Sequence, residues 1–226
     1  TSWADYAHLT FGVTTIHDPS HGNEAIFSSA ELARTGQITA PRIFSTGTIL
    51  YGADAWFRSK VDSLEDATRH VARQKALGAI SVKSYNQPRR DQRQQVLQAA
   101  RSLKMMVVAE GGALLQHNLT MVVDGHTGVE HCVPVAHVYD DVIQLWSASQ
   151  TGYTPTINVA YGGLSGEDYW YAESDVWAHE RLSRFVPQRI LDPRSRRGIK
   201  VPMEDWNHRD VAKATAKMAA SGTMIQ

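Results

Sequence analysis

A lysine, a glutamate and a histidine close three successive apolar runs in the middle of this chain: Ala79–Lys83, Met105–Glu110 and Thr127–His131. Each run has strand length and is rich in β-branched or aliphatic residues. Three readings of Lys83 stay open. It is a salt-bridged residue at the end of a buried strand, a Schiff-base nucleophile, or an amine carboxylated into an anion that bridges two metals. His131 is either a ligand for a zinc-like ion or a hydrogen-bonded rim residue. Glu110 is either a metal ligand or general base, or a carboxylate that caps the Gly111-Gly112 turn and the helix after it. One such strand end carries little weight. Three in consecutive strands predict a common polar cluster at one end of a sheet.

Other histidines are weaker candidates. His17, with Asp18, ends an earlier strand and reads equally as a mouth residue or a polar rim contact. His126 reads as a turn residue. His117 looks toward the mouth only if the preceding segment is a loop. There is no Cys-x-x-Cys and no His-Glu-x-x-His, which argues against a structural zinc and a zincin site.

The elements that must position these groups follow from the pattern. Strands are predicted at Val13–His17, Arg42–Thr46, Ala79–Lys83, Met105–Glu110, Thr127–His131 and Gly152–Val159. Helices are predicted at Glu24–Thr35, Ser63–Leu77, Arg90–Leu103, Leu114–Val123, Val135–Ser147 and Asn207–Ala220, with Thr223–Gln226 opening a further strand. Alternating strands and helices argue for a parallel sheet. Glycines end the helices and longer loops follow the strands, which favours a (β/α)₈ barrel with a working C-terminal face over a doubly wound sheet. The strands ending at His17, Thr46, Lys83, Glu110, His131 and near Val159 are expected to lie adjacent in that order. A Gly-, Trp- and Tyr-rich insertion runs from 160 to about 206 and reads as a lid, a packing interface or a satellite core.

Composition narrows the function. The 226 residues hold 23 Lys plus Arg and 23 Asp plus Glu, so no strong field steers a polyanion. Neither nucleic acid nor a membrane is the expected partner. The single cysteine, Cys132, allows no intrachain disulfide. No apolar run approaches the roughly 18 residues of a membrane span. A complete barrel typically needs about 250 residues, and both ends read as cuts through a longer protein.

Four pieces carry a family resemblance: Gly12-Val-Thr-Thr-Ile-His-Asp-Pro19, Pro41-Arg-Ile-Phe-Ser-Thr-Gly47, Val82-Lys-Ser-Tyr85 and Gly125-His-Thr-Gly-Val-Glu-His131. Together and in this order they resemble the metal-dependent amidohydrolase superfamily, most of all its imidazolonepropionase-like and Xaa-Pro-dipeptidase-like branch. The wording of Lys83–Gln92 is similar to members fused behind an N-terminal β-propeller. The resemblance implies a single α/β domain over 1–226, an incomplete TIM-like (β/α)₈ barrel lacking the first strand and most of the last. It implies one or two divalent metals, zinc first, with Lys83 as the carboxylated bridging lysine and His131 as the sixth-strand ligand. Glu110 stands where the family has a fifth-strand histidine. The implied metal set is therefore Lys83, Glu110 and His131, with Lys83 and His131 essential to catalysis. The implied reaction is attack of a metal-activated water on an amide-type C–N bond, the fragment alone being inactive. Two other functions compete: a Schiff-base lyase using Lys83, and a non-catalytic barrel serving as a scaffold.

Overall fold

The computed structural model describes residues 2–56, 58–159, 164, 166–196 and 198–226. Its elements alternate as the pattern requires. Helix α1 (Trp3–Thr10) leads to β1 (Thr15–Asp18), α2 (Asn23–Arg34) and β2 (Arg42–Ser45). Two short strands follow, β3 (Leu50–Tyr51) and β4 (Ser59–Lys60), then α3 (Leu64–Ala76), β5 (Ser81–Ser84) and α4 (Arg90–Ser102). Next come β6 (Met106–Glu110), α5 (Leu115–Asp124), β7 (Gly128–Glu130), α6 (Asp140–Ser149) and β8 (Gly152–Thr154). The chain finishes with α7 (Gly166–Glu173), α8 (Glu180–Phe185), α9 (Gln188–Ser195), a 3₁₀ turn at Met203–Asp205 and α10 (His208–Ala220).

Local chemistry explains the punctuation. Ser63 caps α3 by accepting from the Asp66 amide at 3.1 Å, with acids in the first turn and Arg73 and Lys75 in the last. Gly125 ends α5 at φ 87°, a left-handed conformation that suits glycine.

Every pairing between named strands is parallel. One sheet holds β1 and β2; the other has the order β4-β3-β5-β6-β7-β8. The chain end adds to the second sheet, because Ile225 bridges to Tyr153 in parallel. This is the strand start expected at Thr223–Gln226.

Three expectations need correction. The neighbour of β5 is β3, not β2. Residues 48–62, for which the pattern predicts neither strand nor helix, contain β3 and β4, and the Tyr85 amide donates to the Leu50 carbonyl at 3.0 Å. Strand β2 does not pair with β5; beside it lies a cleft of about 400 Å³ lined by Phe27, Ile43, Phe44, Leu77 and Gly78 among others. The last full strand stops at Thr154 rather than near Val159. Pro155 has no amide to donate, and Thr156 turns to φ 46°. Helix α6 begins at Asp140, not Val135; Pro134 interrupts the segment before it, whose Val133 and Val138 are buried without helix.

Alternation along the strands sorts side chains onto two faces. Val82, Val107, Ala109, Val129 and Tyr153 point toward the helices and join two buried clusters with residues of α3 to α6 and α10. Trp146 of α6, fully buried, meets Tyr153 edge-on at 5.4 Å between centroids. The opposite face carries polar groups. The first part of the 160–206 insertion, at 160–163 and 165, lies outside the described residues. In the rest, Trp206 is buried against Tyr169, with ring centroids 5.5 Å apart, while Trp170 and Trp177 stay exposed. That part is a satellite core with an aromatic outer side. Among the described residues, no helix is long and apolar enough to cross a membrane.

Candidate functional site

The inner face is built by register. Lys83 lies opposite Val108, Glu110 opposite Glu130, and Glu130 opposite Thr154. Parallel partners share a face, so Ser81, Lys83, Val108, Glu110, Glu130 and Thr154 all point to the inside. Lys83, Glu110 and His131 meet there at the C-terminal strand ends. The Lys83 Nζ is 2.7 Å from Glu110 Oε2, and His131 Nε2 is 2.8 Å from Glu110 Oε1. Glu110 is thus the hub, holding a cation on one oxygen and an imidazole on the other.

Each position has a local cause. Lys83 is only 2% exposed, and β5 is buried along its whole length. A buried ammonium needs an anion close by, and β6 supplies it one strand away. His131 sits one residue past β7 with φ 70°, in the left-handed region that a histidine enters at a cost. From that turn its ring reaches Glu110. Burial alone pushes the Glu110 carboxyl up, but the His131 hydrogen bond and the Lys83 charge outweigh it and hold the group at about 2.

The Gly111-Gly112 turn that follows is tied down by other groups. The Gly111 amide donates to the Glu130 carbonyl at 2.9 Å. A Cβ at Gly111 would come within 2.5 Å of that oxygen, so only glycine lets β6 and β7 approach here. Asn118 closes the turn, accepting from the Gly112 amide at 2.9 Å and donating to the Gly112 carbonyl at 3.1 Å. The capping role considered for Glu110 therefore belongs to Asn118, whose burial in α5 leaves no simple mark in the sequence.

The remaining histidines part company. His17 Nε2 is 2.8 Å from Ser81 Oγ, one inner-face position below Lys83. Desolvation lowers the His17 pKa, against the opposing field of Glu130. His126 is buried, its Nδ1 2.9 Å from the Met121 carbonyl, and burial lowers it to about 4, so the neutral ring donates there. His117 lies on α5, half-buried, its pKa lowered by burial and by Arg93 of α4. It belongs to the outer helix layer, as does the ion pair of Arg93 with Asp124 at 2.7 Å. Glu130 shares this face beside Glu110, a placement that strand register gives and residue type does not.

Carboxylate and imidazole donors suit zinc-like ions. Among the described residues, however, no group of three or more His, Cys, Asp or Glu is gathered closely enough to hold a metal. Glu110 and His131 would offer such an ion only two side chains, and Lys83 a third only if its amine were carboxylated.

This arrangement sits in a fold seen elsewhere. The chain is similar to a Xaa-Pro dipeptidase solved with methionine in its active site, at 17% identity and TM-score 0.63, over 98% of this chain and 55% of that one. It is similar to bottromycin amidohydrolase at 16% identity and TM-score 0.69, over 99% of this chain and 54% of that one. It is also similar to A. niger ochratoxinase at 14% identity and TM-score 0.64, over 97% and 52%. The chain spans about half the length of these solved structures. Identities this low establish the α/β fold and leave activity to the site itself. No family model and no curated protein matches the chain.

Proposed function

We propose that this chain is the central part of an amidohydrolase-superfamily barrel, and that the complete protein hydrolyses an amide-type C–N bond in a peptide-like or cyclic amide substrate. The observation that carries the reading is the convergence of Lys83, Glu110 and His131 at the C-terminal ends of three adjacent parallel strands. That end is where barrel enzymes keep their chemistry. The fold shared with a Xaa-Pro dipeptidase and an amidohydrolase supports the same class.

In this reading the domain is an incomplete (β/α)₈ barrel, whose wall follows the order β4-β3-β5-β6-β7-β8, with β1 and β2 as a separate parallel pair. Glu110 and His131 would hold a divalent metal, zinc first, and Lys83 would join them once its amine is carboxylated. A bound metal supplies an acidified water and polarises the scissile carbonyl. The chain's own groups do the rest. Glu110 fixes the His131 ring through Nε2 and neutralises Lys83 while its amine is free. Glu130, beside it, adds a second carboxylate to the inner face. The half-length match fits a longer protein, and the wording of Lys83–Gln92 is what suggests an N-terminal β-propeller in it.

The test is hydrolysis of dipeptides and N-acyl amino acids by the full-length protein, with and without added zinc, alongside Lys83→Ala and His131→Ala. Zinc-dependent turnover that both variants lose supports the reading. Turnover that both variants keep sinks it.

A further inference from the structure

We infer that the cleft beside β2 is a second binding site, separate from the strand-end cluster, and that it takes a medium-chain carboxylate: an apolar chain with one anionic head. Its volume of about 400 Å³ falls within the roughly 300–1,000 Å³ of small-molecule sites. Helix α2 lends it Phe27, Ala30 and Ala33, β2 lends Ile43, and Leu77 with Gly78 forms the far wall. The room has a cause in the sequence. Where α2 faces the cleft it carries two alanines, and Gly78 has no side chain to reach across. Packed interiors seldom keep a recess of this size. An apolar chain entering it takes the lining surface out of water.

One charge in the lining is left over. Glu31 and Arg34 both face the cleft but pair with each other, Oε1 to Nη2 at 2.5 Å. Arg42, the first residue of β2, lines the same cleft and is exposed. Its Nε donates to Thr15 Oγ1 at 3.0 Å. Among the described residues its two terminal nitrogens have no protein partner. The Thr15 bond steadies the side chain, and a steadied guanidinium loses less freedom on binding.

The strand edge adds backbone donors. The Arg42 amide donates to the Thr14 carbonyl at 2.9 Å, and the Thr46 amide to the Asp18 carbonyl at 3.0 Å. A ladder uses alternate residues of a strand, so Arg42, Phe44 and Thr46 face β1. The amides of Ile43 and Ser45 then point to the other side. Among the named strands β2 pairs with β1 alone. The cleft lies on that other side, because Leu77 and Gly78, which lead into β5, line it. A guanidinium fork and strand amides are donors only, and a carboxylate is an acceptor only. The apolar wall asks for a chain behind that carboxylate.

The cleft is walled by α2, β2 and the turn before β5, whereas Lys83, Glu110 and His131 meet at the C-terminal ends of β5, β6 and β7. The inference therefore stands whether or not the protein is a hydrolase.

Calorimetry on the full-length protein tests it, with octanoate and octanamide as the probes. The two share a chain and differ in the charge of the head. The wild type is expected to bind octanoate at one site, about 10- to 100-fold more tightly than octanamide, the range of a charge-assisted pair. Arg42→Gln should bring octanoate down to the affinity of octanamide and leave octanamide as before. Ala30→Phe fills the recess and should abolish binding of both. If that variant fails to fold, Ala33→Leu, a smaller filling, should weaken both at least about tenfold. No saturable binding of octanoate by the wild type overturns the proposal; a cleft already filled by another segment or a partner gives that result. Octanoate bound no more tightly than octanamide overturns it, as does a preference that survives in Arg42→Gln. Binding that persists in the filled variants puts the ligand elsewhere and also overturns it.

Discussion

Glu110→Gln puts the hub of the cluster to a quantitative test. Glutamine keeps the shape of the side chain and removes its charge. The Lys83 ammonium, 2% exposed and 2.7 Å from the lost oxygen, would then be buried without its counter-charge. Breaking a buried pair from one side costs about 3–5 kcal/mol. The pKa gives a second figure. The folded carboxyl lies at about 2 against an ordinary 4.5, and at about 1.4 kcal/mol per unit that shift corresponds to roughly 3 kcal/mol. The two routes agree in size. The sign is fixed by the direction of the shift. A lowered carboxylate contributes stability above its unfolded value near 4.5, and loses it as pH falls toward 2. Urea unfolding in the presence of a chelator reads both effects. Glu110→Gln should lose about 3–5 kcal/mol at pH 7 and most of the acid dependence between pH 4.5 and 2. Lys83→Met with Glu110→Gln should recover most of the loss, since no buried charge remains. A single variant within about 1 kcal/mol of wild type, or a double variant no better than the single, would refute the reasoning.

Three further outcomes are expected. Asp124→Asn leaves Arg93, only 3% exposed at its side chain, without its anion and should cost about 3–5 kcal/mol, whereas Glu31→Gln, paired with Arg34 on the surface, should cost under about 1 kcal/mol by the same unfolding assay. His126, lowered from 6.5 to about 4, binds its proton less readily folded than unfolded, so it removes stability as pH falls from 6.5 toward 4; proton-detected NMR should find its ring neutral above about pH 4. Gly111→Ala places a methyl within 2.5 Å of the Glu130 carbonyl and should destabilise by more than about 1 kcal/mol while disturbing the His131 environment, seen as a shifted histidine resonance.

Much of the fold was legible because helix ends and strand runs announce themselves. Gly36, Gly78 and Gly125 stop helices where expected, and the strands around Lys83, Glu110 and His131 lie within a residue or two of their predicted bounds. The short strands β3 and β4 were not legible. Two residues show no period, and their pairing depends on where the Leu50 carbonyl meets the Tyr85 amide. The six-strand order failed for that reason, although every pairing proved parallel. The cluster itself was readable from residue types at strand ends. Its internal bonding was not, because Glu110 as the hub between Lys83 and His131 is a fact of register and of the His131 backbone turn. Glu130 and Asn118 stayed hidden for the same cause: their places come from which face, which turn and which neighbour, none of which a run of residues records.

Lys83, Glu110 and His131 are proposed as the metal-holding end of a hydrolase barrel. The most direct measurement is an anomalous difference map, at the zinc edge, from crystals of the full-length protein grown with zinc. A peak is expected within coordination distance of Glu110 and His131, with the Lys83 amine carboxylated, and its loss is expected in His131→Ala. A zinc-soaked crystal with no peak at these residues, and with Lys83 still hydrogen-bonded to Glu110, would contradict it.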